Sequence, residues 1–118
     1  MILLVDDEAI VREVGSELLS ILGYQAICAS EGPEALELLS AAPDGFRLAI
    51  LDMTMPRMAG PELFRHIRDL NPNIRVLFSS GYTLDDTGRD LVREGGVDYI
   101  QKPFDLKTLS LGIQNLLA

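Results

Sequence analysis

Cysteine is nearly absent from this sequence: Cys28 is the only one in 118 residues. A disulfide framework and a cysteine-ligated metal site are both excluded, and the usage agrees with a reducing compartment. Cys28 itself is expected to be a small buried apolar residue. Long apolar runs are missing too. The longest, Met1 to Val5, holds about five residues, where a membrane-spanning helix needs about 20. It runs straight into Asp6-Asp7-Glu8, unlike the basic start and apolar stretch of a secretory leader. The expected location is the cytoplasm, with no membrane insertion by this segment. Positive charge is scarce: ten basic residues face eighteen acids for a net charge of −8, and Lys102 and Lys107 are the only lysines. Such a balance repels nucleic-acid phosphates and anionic lipid, so no direct nucleic-acid contact is expected. Internal repeats, low-complexity segments and linkers are also lacking.

What the chain does have is material for a core. At 47% hydrophobic and 24% charged it is not a disordered composition. Its length fits one domain, residues 1–118, close-cut at both ends. Five apolar runs punctuate it: Ile2 to Val5, Tyr24 to Ala29, Arg47 to Leu51, Ile74 to Phe78 and Val97 to Ile100. Most are continuous rather than alternating, as in strands covered on both faces. Helical spacing fills the gaps. Ile10, Val14, Leu18, Ile21 and Leu22 recur at three and four residues and stop at Gly23. Pro33 and Pro61 suit the first turns of a second helix carrying Leu36 and Leu39 and a third carrying Leu63, Ile67 and Leu70. A fourth, roughly Asp85 to Glu94, has only Leu91 and Val92 as anchors and should be the least firmly held. The fifth starts after Asp105, a good cap, with Leu106, Leu109, Ile113 and Leu116. Strand and helix alternate five times, which predicts a doubly wound α/β domain with a parallel sheet. In such sheets ligands bind outside the carboxyl ends of the strands.

Those ends carry the chemistry. Asp6-Asp7 follows the first run, Asp52 the third, Ser79-Ser80-Gly81 the fourth and Lys102-Pro103 the fifth. Taken singly each is an ordinary turn, cap or surface loop; four such signals at four strand ends are hard to attribute to accident. Three carboxylates about 5 Å apart at an effective dielectric near 20 would repel by roughly 3 kcal/mol per pair, so a cation must compensate. Mg²⁺ is the natural one, a hard ion taking oxygen ligands and keeping waters that phosphate oxygens can displace. Lys102 adds a compact positive charge for a phosphate, and Ser79 a hydroxyl. These are parts of a phosphoryl-transfer site, and Asp52, alone at the end of the central strand, is the candidate nucleophile. By contrast His66 reads as a solvated surface residue, Met53, Met55 and Met58 as packing, and Glu13, Glu17, Glu34 and Glu37 as exposed helix faces.

From end to end the sequence resembles the receiver domain of two-component response regulators. The matching motifs are Leu4-Val5-Asp6-Asp7-Glu8, the stretch from Asp52 through Met55-Pro56 to Gly60, Phe78-Ser79-Ser80-Gly81-Tyr82, and Asp98-Tyr99-Ile100-Gln101-Lys102-Pro103-Phe104. The resemblance implies a (βα)5 flavodoxin-like sandwich with a five-stranded parallel sheet of order 2-1-3-4-5. It implies that Asp52 accepts a phosphoryl group from a phosphohistidine. Asp7, Asp52 and the backbone carbonyl of Thr54 would bind Mg²⁺, for which Mn²⁺ is expected to substitute, and Asp6 would help through water. Ser79 would be the switch hydroxyl, Lys102 the salt-bridging partner and Tyr99 the aromatic whose rotamer follows. The implied partner is a sensor histidine kinase or a helical histidine phosphotransfer protein, docking over the strand-end loops and the first helix. The segment further resembles receivers at the carboxyl end of hybrid sensor histidine kinases. Two departures stand out. Ser79 lies where threonine is commoner, and Thr54 and Gly81 occupy positions thought to tune aspartyl phosphate hydrolysis.

Rival classes fit less well. A haloacid dehalogenase-like phosphohydrolase needs a second acid two residues after its nucleophile, and Thr54 is there instead. A flavin-phosphate binder would want a glycine- and hydroxyl-rich first loop, which Asp6-Asp7-Glu8 is not. A receiver-like interaction module that is never phosphorylated is disfavoured by the complete acid set with Lys102, and stays open on sequence grounds.

Overall fold

A computed structural model of the chain describes residues 1–81, 91 and 93–118. Five strands form one parallel sheet: β1 (Ile2–Val5), β2 (Ala26–Ala29), β3 (Leu48–Asp52), β4 (Arg75–Ser80) and β5 (Val97–Gln101), in the order β2-β1-β3-β4-β5. The described helices are α1 (Ala9–Ile21), α2 (Gly32–Ala41), α3 (Gly60–Leu70) and α4 (Leu106–Leu117). The doubly wound fold and its strand order are as expected. The anticipated helix near Asp85 to Glu94, and Tyr82, lie outside the described residues apart from Leu91, Arg93 and Glu94.

Every residue of β1 and of β3 is buried, which is why their sequences run apolar without alternating. The sheet separates two cores. Leu3, Val5, Leu51 and Phe78 face Leu39 of α2 and Leu63, Phe64 and Ile67 of α3. Leu4, Ile50, Leu77 and Ile100 face Leu19 of α1 and Leu109, Ile113 and Leu116 of α4. Full burial of one such side chain is worth roughly 1.5–3 kcal/mol. Local signals set the helix ends. Pro33 and Pro61 occupy first turns, Gly23 follows α1 with φ +91°, and Asp105 Oδ1 accepts the Thr108 N–H at 2.8 Å.

Several expectations need correcting. β4 runs two residues further than its apolar run, through Ser79 and Ser80, because the ladder with β3 and β5 continues there. β2 starts at Ala26, not Tyr24. In α1 the packed positions are Gly15 and Leu19; Ile10, Val14 and Ile21 are 62%, 43% and 68% exposed. Gly15 sits so close to the sheet that a Cβ there would stand 2.8 Å from Leu4 Cδ2, so the helix turns its smallest residue inward. Leu70 and Leu106 are likewise exposed. Cys28 is only half-buried, with its Sγ 2.9 Å from Ser16 Oγ.

Candidate functional site

Two turns of the same kind open the site. Where β1 ends, Asp6 Oδ1 accepts the Glu8 N–H at 2.9 Å; where β3 ends, Asp52 Oδ1 accepts the Thr54 N–H at 3.2 Å. Each aspartate thus caps its own strand-to-loop turn two residues on, which aims both carboxylates off the sheet edge. Adjacent loops are pinned to that edge. Met53 N–H donates to Ser79 O at 2.9 Å, Lys102 N–H to Ser80 O at 2.7 Å and Gly60 N–H to Met53 O at 3.1 Å. The Lys102–Pro103 peptide is cis.

One oxygen each from Asp6, Asp7 and Asp52 lies within 4.8 Å of the others. Asp6 and Asp52 are only 1% and 4% exposed, whereas Asp7 is open to solvent. Lys102 Nζ reaches into the group, 2.6 Å from Asp6 Oδ2, 3.3 Å from Asp52 Oδ1 and 3.9 Å from Glu8 Oε1. One ammonium cannot neutralise three clustered carboxylates. Burial, together with the Asp6 charge, therefore raises the Asp52 pKa from 3.8 to about 6, against the opposing pull of the Thr54 N–H and Lys102. For Lys102 burial alone would lower the pKa, and the Asp6 hydrogen bond with the Asp52 charge outweighs it, so the net shift is upward. The chemistry of this donor set, hard carboxylate oxygens clustered at the sheet's carboxyl edge with uncompensated negative charge, suits a divalent cation such as Mg²⁺.

Ser79 is buried and stands in register beside Asp52 on the neighbouring strand. Tyr99, half-buried, lies on the other side of the sheet: it packs with Val97 and Phe78 toward α2 and α3, while Ile100 faces α1 and α4. The structure thus brings Asp6, Asp7, Asp52 and Lys102 together with Ser79 adjacent, and sets Tyr99 apart on the opposite face. Thr54 is exposed and contributes its N–H to Asp52. Of the residues set aside earlier, His66 is exposed, Met55 is buried, and Met53 and Met58 pack against the core. Two neighbours were given no site role from the sequence, although Glu8 lies in the first motif. Glu8 approaches Lys102, and Arg12 Nη1 donates to the Asp6 carbonyl at 2.9 Å; only the position of Arg12 six residues after Asp6, in the first turn of a helix, hinted at this. Beside the acids runs a cleft of about 420 Å³, lined by Glu8, Ile10, Val11, Val14, Gly81, Lys102, Pro103 and Phe104.

The strand order, the doubly wound layers and the acid-and-lysine pocket at the sheet's carboxyl edge define a flavodoxin-like α/β domain. Within that class the chain belongs to the response regulator receiver domain family of two-component systems, whose family model matches residues 2–114. It is 36% identical over 116 residues to sensor kinase CckA of Brucella abortus, covering 98% of this chain and 12% of that protein. It is 34% identical over 117 residues to regulatory protein AtoC of Escherichia coli, covering 98% and 25%. The chain is therefore similar to a minor part of each of these curated relatives. Among solved structures, the receiver domain of hybrid histidine kinase CckA superposes with a TM-score of 0.84 at 34% identity, covering 99% of this chain and 98% of that one. The receiver domain of NtrX from Brucella abortus gives 0.88 at 30% identity, with coverage of 99% and 98%.

Proposed function

We propose that residues 1–118 form a phosphoaspartate switch in which Asp52 accepts a phosphoryl group from a phosphohistidine. The observation that carries this reading is the gathering of Asp6, Asp7 and Asp52 oxygens within 4.8 Å with Lys102 Nζ 3.3 Å from Asp52 Oδ1. An Asp52 carboxylate oxygen forms the new P–O bond while the donor's P–N bond breaks and its imidazole leaves. With a pKa of about 6, Asp52 is about nine-tenths ionised at pH 7 and so available as a nucleophile. Asp7, Asp52 and the Thr54 carbonyl would hold Mg²⁺, with Asp6 acting through water and Mn²⁺ able to substitute. The ion would supply positive charge for the transferring phosphoryl oxygens. Lys102 is the second charge for that group. Ser79 is the hydroxyl that turns to the new phosphate, and Tyr99 is the aromatic whose rotamer follows. The domain promotes its own phosphotransfer and dephosphorylation and is not a free-standing enzyme of small-molecule turnover.

The donor is a sensor histidine kinase or a histidine phosphotransfer protein. Exposed Ile10 and Val14 border the apolar cleft that leads to Lys102, which fits a helical partner presenting its histidine to Asp52. The likeness to CckA supports a hybrid histidine kinase as the parent chain and the cytoplasm as the location. Contact with nucleic acid forms no part of this role. Incubation with Mg²⁺ and acetyl phosphate tests the reading. Labelling should reach one phosphoryl group per chain and vanish in Asp52→Asn; continuous phosphate release without labelling, or no labelling of the unsubstituted domain, refutes it.

A further inference from the structure

Asp6 is held by more than its carboxylate. Its N–H donates to Ala29 O at 3.2 Å, its Oδ1 accepts from Glu8 N–H at 2.9 Å, and its carbonyl accepts from Arg12 Nη1, also at 2.9 Å. β1 ends at Val5, so that carbonyl lies past the last strand residue, and the half-buried Arg12 side chain folds back from α1 to meet it. Among the described residues no carboxylate forms an ion pair with Arg12, so the carbonyl is the guanidinium's polar anchor. The geometry points to Arg12 as a positioning residue of the acid pocket, one that sets the plane of the Asp6–Asp7 peptide and thereby the direction in which Asp7 projects.

The two cations near the acids do different work. Lys102 bonds directly to carboxylate oxygens of Asp6 and Asp52, and at Asp52 it would compete with a divalent ion. Arg12 bonds to a main-chain oxygen and leaves the carboxylate oxygens free. Groups that orient ligands from behind commonly alter metal affinity by 10-fold or more when removed.

This inference rests on the proposed Mg²⁺-dependent phosphoacceptor role. Mg²⁺ titration followed by amide NMR shifts of residues 6 and 7, with metal-free melting in parallel, tests it. Arg12→Met is expected to weaken Mg²⁺ binding about 10-fold while melting changes little, and Arg12→Lys, which keeps a charge and a donor, should restore most of the affinity. Unchanged affinity in Arg12→Met overturns the inference, as does equal weakening in both variants or a loss of affinity matched by a loss of metal-free stability. If the parent chain itself binds no Mg²⁺, the proposed function and the inference fall together, an outcome distinct from a parent that binds and a variant that binds equally well.

Discussion

Asp52 is held in an environment that disfavours its charge. Its carboxyl is buried beside Asp6, so its pKa rises from 3.8 to about 6. A carboxyl that holds its proton more tightly when folded favours the folded state most below the unfolded value of 3.8, and that contribution is lost as pH rises through about 6. Ionised Asp52 is thus a strain on the metal-free fold at neutral pH, of roughly 3 kcal/mol by the size of the rise. Asp52→Asn is expected to stabilise the metal-free protein at pH 7.5 by up to that amount, less whatever Lys102 loses in partnership, and hardly at all at pH 3.5. Denaturant midpoints at the two pH values check this; a gain that does not depend on pH would contradict it.

At the scale of single elements, the junction of β3 with α3 governs where Asp52 sits. A Cβ on Gly60 would stand 2.5 Å from the Asp52 carbonyl oxygen and 3.0 Å from Met53 Cα, both backbone atoms that cannot swing aside. Gly60→Ala should therefore push the helix off the strand end, cost about 2 kcal/mol or more and weaken Mg²⁺ binding as Asp52 shifts. Equilibrium unfolding and metal titration measure the two effects. Helix α1 behaves in the opposite way, because its outward apolar residues bear little on stability. Ile10→Ser with Val14→Ser should change unfolding free energy by roughly 0.5 kcal/mol or less per site. The pair should leave labelling by acetyl phosphate intact and slow phosphotransfer from a histidine-bearing protein donor. Equal loss with both donors would remove the cleft from the docking role.

For the whole molecule, net charge and metal are linked. A chain of charge −8 with Asp6, Asp7 and Asp52 clustered at one edge of the sheet gains from any cation that binds only the folded pocket. Mg²⁺ at 100 times its dissociation constant should add about 2.7 kcal/mol, raising the melting temperature by roughly 10 °C for a domain of this size. EDTA should reverse the gain and Asp52→Asn should lose most of it. A melting temperature indifferent to Mg²⁺ and to EDTA would separate this chain from the proposed chemistry.

The amino-acid order alone determined the five strands and the placement of the acids and the lysine at their carboxyl ends. A strand buried on both faces is mostly apolar, and here its buried polar residues gather at the carboxyl end. It determined the helix starts at Pro33, Pro61 and Asp105 for an equally local reason, since caps and fixed φ act within one turn. The tertiary structure decided what depends on neighbours distant in the chain. Periodicity marked Ile10, Val14 and Ile21 as a stripe, yet α1 presses Gly15 and Leu19 inward, because close approach to Leu4 admits no side chain at that point. Serines 79 and 80 belong to β4 because β3 and β5 extend beside them, which no property of serine foretells. Arg12 lies only six residues from Asp6, yet it finds that carbonyl only once the helix has folded back over the strand end, and a side-chain contact of that kind leaves no period in a sequence.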